Sequence, residues 1–409
     1  MAEITKDIVD MGFNCVRLPY SEYQFVEDPV VEDKLISADP TLQGQGLTSS
    51  EIFFKTADAI IDAGLMLIFN SHNSDAIWCC NQDDGNGYWW NKDYDVDKWL
   101  SVLETLTFRY VGEPLVIGND IRNEIRYDPI TLPLALPTWD HITPDYINWR
   151  KASINAIKLI HKIDPDILVI IEGLNYATDF GSWLYGIKVW PIDEENELDV
   201  QNKLVYSAHY YDWHHDLASK DSYEQFAADL DYKVSFMALD DNYKSPAPMW
   251  FGEFGTNKRN RQWNYFIRYL QERPKLSWSY WPLNGYKHEK TDQEEFGILN
   301  NDFRTVRHPW KLADLQKIMT RDTRLEIDKL QYDTANLLVQ YFQQEAIANS
   351  RERKFEERST ETCSETRDEL WNRLNDEGIA YETFEDLLKM GNRAAWHTAN
   401  SEKGYLEDA

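Results

Sequence analysis

At 409 residues the chain exceeds what one α/β domain needs, so one large domain with an appendage is the expected organisation. A formal net charge of −28 excludes nucleic acid and an anionic membrane surface as partners, because like charge repels phosphate, and leaves an uncharged ligand. No apolar run is long enough to span a bilayer, and the acidic N-terminus (Glu3, Asp7) carries no signal-peptide core.

The first element is a helix-like stretch over residues 4–11, followed by an apolar strand at 15–20. Thr48 stands three residues before Glu51, a capping box. It opens a helix whose apolar face carries Ile52, Phe53, Ala57, Ile60 and Ile61, and Gly64 ends it. Further strands are predicted at 65–71, 114–124, 168–173, 204–209, 249–254 and 276–284, with apolar residues on both faces as in a buried parallel sheet. Helices alternate with them at 96–110, 223–238 and 260–271. Another is predicted from an N-cap at Thr143-Pro144 with Ile147, Ile154, Ile157 and Ile160 on helical spacing. The alternation predicts an α/β fold, a parallel sheet with crossover helices. Seven strands are countable. From residue 320 to 409 the composition turns highly charged, and amphipathic patches (Leu325, Leu337, Tyr341; Trp371, Leu387) predict a helical or partly disordered extension without a catalytic motif.

Two glutamates fall at the C-terminal ends of predicted strands, Glu124 and Glu253. In a barrel of alternating strands and helices the chemistry gathers at that end. Cleaving an acetal takes a proton donor at the leaving oxygen and a carboxylate facing the anomeric carbon. A pair about 5–5.5 Å apart corresponds to retaining double displacement. A structural ion pair is the alternative for any single glutamate, and Glu172, after the 168–173 strand, is such a decoy. The chain holds 16 tryptophans, whose flat faces suit sugar rings, although most are expected in the core. The four cysteines, Cys15, Cys79, Cys80 and Cys363, form neither a disulfide framework nor a spaced metal site, and adjacent Cys79 and Cys80 are not expected to bridge each other.

Residues 12–21 (GFNCVRLPYS), 71–75 (SHNSD), Arg122-Asn123-Glu124, 171–176 (IEGLNY), 206–209 (YSAH), 252–256 (GEFGT) and 278–281 (WSYW) occur in this order, closing with 304–311 (RTVRHPWK). Together they resemble glycoside hydrolase family 5, the cellulase family, over residues 8–319. The resemblance implies a (β/α)8 TIM barrel as catalytic domain over residues 1–319, with residues 320–409 as a C-terminal α-helical extension. It makes Glu124 the acid/base and Glu253 the nucleophile. Asn123 would hold the sugar 2-hydroxyl, with Arg17 and Tyr211 beside Glu253. His72, His209 and Trp281 would line the subsite of the cleaved sugar. Trp89 or Trp90 is a candidate for stacking further sugars, with packing over the barrel as the alternative. Trp213, His214 and His215 are candidates for substrate contact. Asp83, Asp84 and Asn86 lack the EF-hand spacing and read as a plain turn.

The implied reaction is retaining endo-β-1,4-glucanase hydrolysis of a β-glucan polysaccharide or oligosaccharide, without metal or organic cofactor, by an exported protein. The alternatives are exo-β-1,3-glucanase, β-mannanase, glycolipid glycosidase, or an inactive glycan-binding remnant. Two departures stand out: Ile125 replaces the proline usual after the acid/base, and Phe69-Asn70-Ser71 lacks the acidic residue often found before the histidine. The first barrel strand is missing ahead of residue 15, which leaves two sheet edges unpaired. A truncated chain is the favoured explanation, and it would also account for the missing signal peptide.

Overall fold

The computed structural model describes residues 1–36, 39–180, 190–212, 222–240, 243, 246–286 and 294–319. The predicted extension 320–409, Cys363, and the candidates Trp213, His214 and His215 lie outside the described residues.

Among the described residues seven parallel strands form one curled sheet in sequential order: β1 (Cys15–Ser21), β2 (Met66–Asn73), β3 (Val116–Asp120), β4 (Leu168–Glu172), β5 (Leu204–Tyr210), β6 (Met249–Phe254) and β7 (Ser277–Trp278). Parallel neighbours require crossovers, and amphipathic helices supply them, so the architecture is a TIM-type β/α barrel one stave short. The ladder runs from β1 to β7 with no pairing of β7 back to β1. Side chains meet at that seam. The ring of Phe13 lies edge-on to Trp278 at 6.3 Å, Trp278 Nε1 donates to Ile318 O at 3.2 Å, and Gln316 Nε2 donates to Met11 O at 3.1 Å. The Ala2–Asp10 and Pro309–Ile318 helices thus reach the open edge without completing the sheet.

The two-residue period of the strands layers the interior. Ile68, Ile170 and Trp250 pack with Cys15, Ile117 and Val205 as an apolar layer. Two residues further toward the C-terminal ends, on the same faces, come Arg17, Asn70, Glu172 and Ser207, and His209 stands two beyond that. The change from apolar to polar at these positions separates a supporting core from a site.

The Ser49–Asp62 helix has its capping box at Thr48 and Glu51, and Gly64 follows at φ +76°. The Thr143-Pro144 start is corrected. Asn148 is the cap, accepting from Lys151 N, and the helix runs Trp149–Ile163. Asp140 instead binds Thr143 and Asn148, which holds the preceding segment in turns. The predicted 223–238 helix is shorter, Tyr223–Lys233, with a separate turn at Phe236–Leu239. Trp99 Nε1 donates to Ile121 O and Trp149 Nε1 to Glu172 O, both at 2.9 Å, so buried helix tryptophans clamp the backbone where β3 and β4 end.

Candidate active site

Arg17, on β1, is the centre of the polar layer. Its guanidinium donates to Asp120 Oδ2 (2.8 Å), Glu253 Oε1 (2.7 Å), Asn123 Oδ1 (2.7 Å) and Glu172 Oε1 (2.9 Å). A planar fork with several donors can serve four acceptors at once, which a lysine ammonium cannot. Its side chain is 4% exposed. Burial opposes its charge, but Asp120, Glu253 and Glu172 outweigh that and hold it firmly ionised.

Glu253 ends β6 and is buried. Oε1 accepts from Arg17 and Oε2 from the Tyr211 hydroxyl at 2.9 Å, so both expected neighbours are in place. Their pull toward the ionised form does not prevail. Burial raises its pKa above the usual value, with Glu124 and Glu172 adding to the rise against His209 and Arg17.

Glu124 lies beyond β3, after the chain has left the sheet, at φ +46°. A left-handed backbone is unfavourable for a residue with a Cβ and needs support. The support is Glu172, whose Oε2 accepts the Glu124 backbone N–H at 2.6 Å. On the Glu124 side chain, Oε1 lies 2.9 Å from His209 Nδ1. One oxygen of Glu124, one ring nitrogen of His209 and one oxygen of Glu253 all lie within 4.8 Å of one another. Two carboxyl groups this close can face one sugar from opposite sides of its anomeric bond.

His209 also approaches Glu172 Oε1 at 3.2 Å and Glu253 Oε2 at 3.7 Å. Burial works against its charge, but Glu172 and Glu253 outweigh it and raise the imidazole well above its ordinary pKa. His72 goes the other way, lowered well below the usual value by burial and by the charges of Arg17 and His209. Its ring stacks on Trp281 at 5.2 Å with an interplanar angle of 11°.

The structure therefore gathers Arg17, His72, Asn123, Glu124, His209, Tyr211, Glu253 and Trp281 into one cluster. It does not bring Trp89 there. That ring is 1% exposed and packs on Trp149 at 5.4 Å, so the alternative of packing over the barrel holds and stacking on substrate is corrected. Trp90 keeps part of its surface but is tied by Nε1 to Tyr146 O at 2.9 Å, outside the cluster. The aromatic residue that does reach it is Trp78, an exposed side chain with its ring 6.3 Å from Trp281. Asp84 pairs with Arg126 at 2.6 and 2.7 Å, and Asn86 accepts from Ser74 N and Asp75 N, so this loop is a structural turn as expected.

Sequence reasoning missed Asp120 and Asn70 and passed over Glu172 as a decoy. Asp120, whose pKa is pushed up to about 8 by burial and by Glu172, accepts from Arg17 and from Asn70 Nδ2 (3.0 Å). The available signal was a polar residue ending an otherwise apolar buried strand. Cys79 and Cys80, not expected to bridge, are joined to each other, and Asn123 Nδ2 lies 3.6 Å from both sulfurs. Among the described residues two groups have donor sets able to hold a cation: Glu124–His209–Glu253 and His72–Cys79–Cys80. In the first, Arg17, Tyr211 and His209 already engage the carboxylate oxygens.

A β/α barrel whose strand ends converge on two facing carboxyl groups is the architecture of a hydrolase of glycosidic bonds. The profile of the Cellulase family (glycosyl hydrolase family 5) matches residues 1–287. The chain belongs to that family. A "Glycosyl hydrolase 5 family protein" of Chamaecyparis obtusa is 26% identical over 349 residues, covering 78% of this chain and 58% of the relative. An endoglucanase of Paenibacillus polymyxa is 24% identical over 329 residues, covering 76% of this chain and 74% of its own length. The chain thus spans somewhat over half of the first of these relatives. Among solved structures, the catalytic domain of the major endoglucanase from Xanthomonas campestris superposes with a TM-score of 0.61 at 21% identity, over 78% of this chain and 87% of that one. An endocellulase of Pyrococcus horikoshii in complex with cellotetraose gives 0.57 at 24% identity, over 78% and 86%.

Proposed function

We propose that residues 1–319 form a retaining glycoside hydrolase acting on β-glucans, with endo-β-1,4-glucanase activity. The observation that carries the reading is Glu124, His209 and Glu253 within 4.8 Å of one another at the strand ends of a β/α barrel. Glu253, fixed by Arg17 and Tyr211, attacks the anomeric carbon while Glu124 protonates the leaving oxygen, giving a glycosyl-enzyme and a shortened chain. Water, deprotonated by Glu124, then releases the sugar. Asn123 takes the sugar 2-hydroxyl, a contact that strengthens in the transition state. Its Oδ1 is committed to Arg17, while its Nδ2 has only sulfur, a weak acceptor, nearby and is free to donate to a sugar oxygen. Trp281 floors this subsite. The endo-1,4 linkage is supported by the Paenibacillus relative being an endoglucanase and by the cellotetraose held in the Pyrococcus neighbour. Secretion fits a polymeric substrate. Among the described residues no helix is long and apolar enough to cross a membrane.

The test is hydrolysis of carboxymethylcellulose, laminarin and mannan with product sizing, together with Glu253→Gln and Glu124→Gln. Expected are internal cuts in carboxymethylcellulose, no turnover by Glu253→Gln, and first-step turnover of an activated aryl glycoside by Glu124→Gln. Cleavage of laminarin alone, from its end, overturns the linkage, and equal small losses in both variants overturn the roles.

A further inference from the structure

The loop after β2 carries a group that the hydrolytic scheme does not use. Cys79 and Cys80 are half-buried, bonded to each other, and lie against Asn123 Nδ2. One sulfur of each and a ring nitrogen of His72 all lie within 4.8 Å of one another. Tetrahedral zinc, with bonds of about 2.3 Å to sulfur and about 2.0 Å to nitrogen, needs ligand atoms roughly 3.5–3.8 Å apart, so the two sulfurs, held at bonding distance in the disulfide, must part before the site can close.

His72 is presented in the form a metal needs. Asn70 Nδ2 donates to Asp120 Oδ2 at 3.0 Å, which turns Asn70 Oδ1 toward His72 Nδ1 at 2.7 Å. An amide oxygen accepts, so Nδ1 carries the hydrogen and Nε2 keeps its lone pair. Carboxylate, amide and imidazole thus form an outer support of the kind that orients metal-bound histidines.

We propose that Cys79, Cys80 and His72 form a redox-gated site for a soft divalent cation, closed while the disulfide stands, open after its two-electron reduction, and inhibitory when filled. The inhibitory consequence rests on the hydrolytic reading of the neighbouring residues; the binding itself does not. A tertiary phosphine opens the site. Phosphorus gives its electron pair to one sulfur, the S–S bond breaks, water supplies the oxygen of the phosphine oxide, and two protons end on the two thiols. A cation such as Zn2+ or Cd2+ then displaces both thiol protons and takes the Nε2 lone pair, with water in the fourth position. Two thiolates and an imidazole select such an ion over Mg2+ or Ca2+, which prefer oxygen. Bound there, the ion adjoins Asn123 and holds His72, so it competes with the sugar to be cleaved.

The experiment titrates the full chain with cadmium chloride, untreated and after phosphine treatment, following both thiolate-to-cadmium charge-transfer absorption and glucan hydrolysis. Expected is one tightly bound cadmium per chain after reduction only, with at least a tenfold loss of hydrolysis that a chelator reverses. Loss of even an outer-shell partner weakens metal sites by about 10- to 100-fold, so His72→Gln should weaken cadmium binding at least that much. The Cys79→Ser/Cys80→Ser chain, which keeps Cys15 and Cys363, should show neither the band nor any change of its own rate with phosphine and cadmium. The proposal is overturned if the band is absent from the reduced protein, persists in the double-serine chain, or forms equally without reduction. A band with undiminished hydrolysis overturns the inhibition. A band in a protein that hydrolyses no glucan overturns the hydrolytic reading and leaves the metal site standing.

Discussion

Replacing Glu172 by glutamine tests whether a residue that touches no substrate positions the acid/base. The change keeps the shape and removes one charge. Glu172 Oε2 accepts the Glu124 backbone N–H at 2.6 Å, and Oε1 faces Arg17 at 2.9 Å and His209 at 3.2 Å. A carboxylate satisfies donors on both sides, whereas an amide has one oxygen and one NH2. Either orientation sets a donor against a donor, at a cost of about 1–3 kcal/mol for an unsatisfied buried group. Losing the charged bond to Arg17 adds about 1.5–3 kcal/mol. The sum falls near the roughly 3–5 kcal/mol typical of breaking a buried ion pair. About half should appear in the rate, because the support for Glu124 at φ +46° and the charge that most raises His209 both disappear. We expect kcat on an aryl cellobioside to fall about 10- to 70-fold, which is about 1.5–2.5 kcal/mol, with KM changed little. The pH profile should also change, since a less basic His209 loses its proton at lower pH. The assay is kcat and KM across pH, with a denaturant midpoint for stability. A lower midpoint with unchanged kcat and pH profile in the folded protein would show that Glu172 only holds the fold.

The acid limb of kcat/KM should lie above the ordinary glutamate value of 4.5, because burial raises Glu253. The attacking group must be ionised, so activity is lost as pH falls through that raised value. A limb at or below 4.5 contradicts the site's electrostatics. Arg17→Lys should move the limb further up and lower kcat/KM about 100-fold, since one ammonium cannot replace a fork with four acceptors. Trp281→Ala should cost about 1.5–3 kcal/mol of apolar contact with the sugar, a roughly 10- to 150-fold drop in kcat/KM; an unchanged value would remove Trp281 from the subsite. Gly252→Ala should destabilise the protein by about 1–3 kcal/mol in chemical denaturation, because a Cβ there would meet Ser207 Oγ and come within 3.3 Å of His209 Nε2.

The strands were legible because buried parallel strands read as continuous apolar runs, and all seven fall where those runs predict. Their ends were less so. The 114–124 run continues through buried Ile121, yet the strand stops at Asp120, because the chain must turn out of the sheet to present Glu124. The 276–284 run is regular strand only at Ser277–Trp278; Ser279 N and Trp281 N still donate to Phe251 O and Phe254 O of β6, and Pro282, which has no N–H, follows directly. Thr143-Pro144 carries a good local start signal, but Asp140 draws Thr143 into a turn, and Asn148, a cap residue in its own right later in the chain, accepts from Lys151 N. Trp89 has the composition of a sugar platform and the position of a core residue, and only packing against Trp149 distinguishes them. Asp120 and Glu172 were missed for one reason: Arg17 meets Asp120 across 103 positions and Glu172 across 155, so their meaning depends on the curl of the sheet.

The reason a cluster so rich in acids is workable lies in its charge count. Four carboxyl groups, Asp120, Glu124, Glu172 and Glu253, surround two cations, Arg17 and His209, in a buried setting. A buried set of charges is tolerable only near neutrality, so not all four acids can be ionised together. Asp120, pushed up to about 8, holds a proton at neutral pH. Glu172 is driven the other way: burial would raise it, but His209 and Arg17 prevail and keep it ionised. Burial, Glu124 and Glu172 raise Glu253, against His209 and Arg17. The Arg17 and Tyr211 donors on Glu253 oppose that rise without overcoming it, so Glu253 gives up its proton only above the ordinary glutamate range. The proposed double displacement needs an acid on one side of the sugar and an anion on the other, so a raised nucleophile must still lose its proton before it can attack. Asp120 and Glu172 therefore act on the proposed catalytic pair through Arg17 and His209, one held neutral and the other charged.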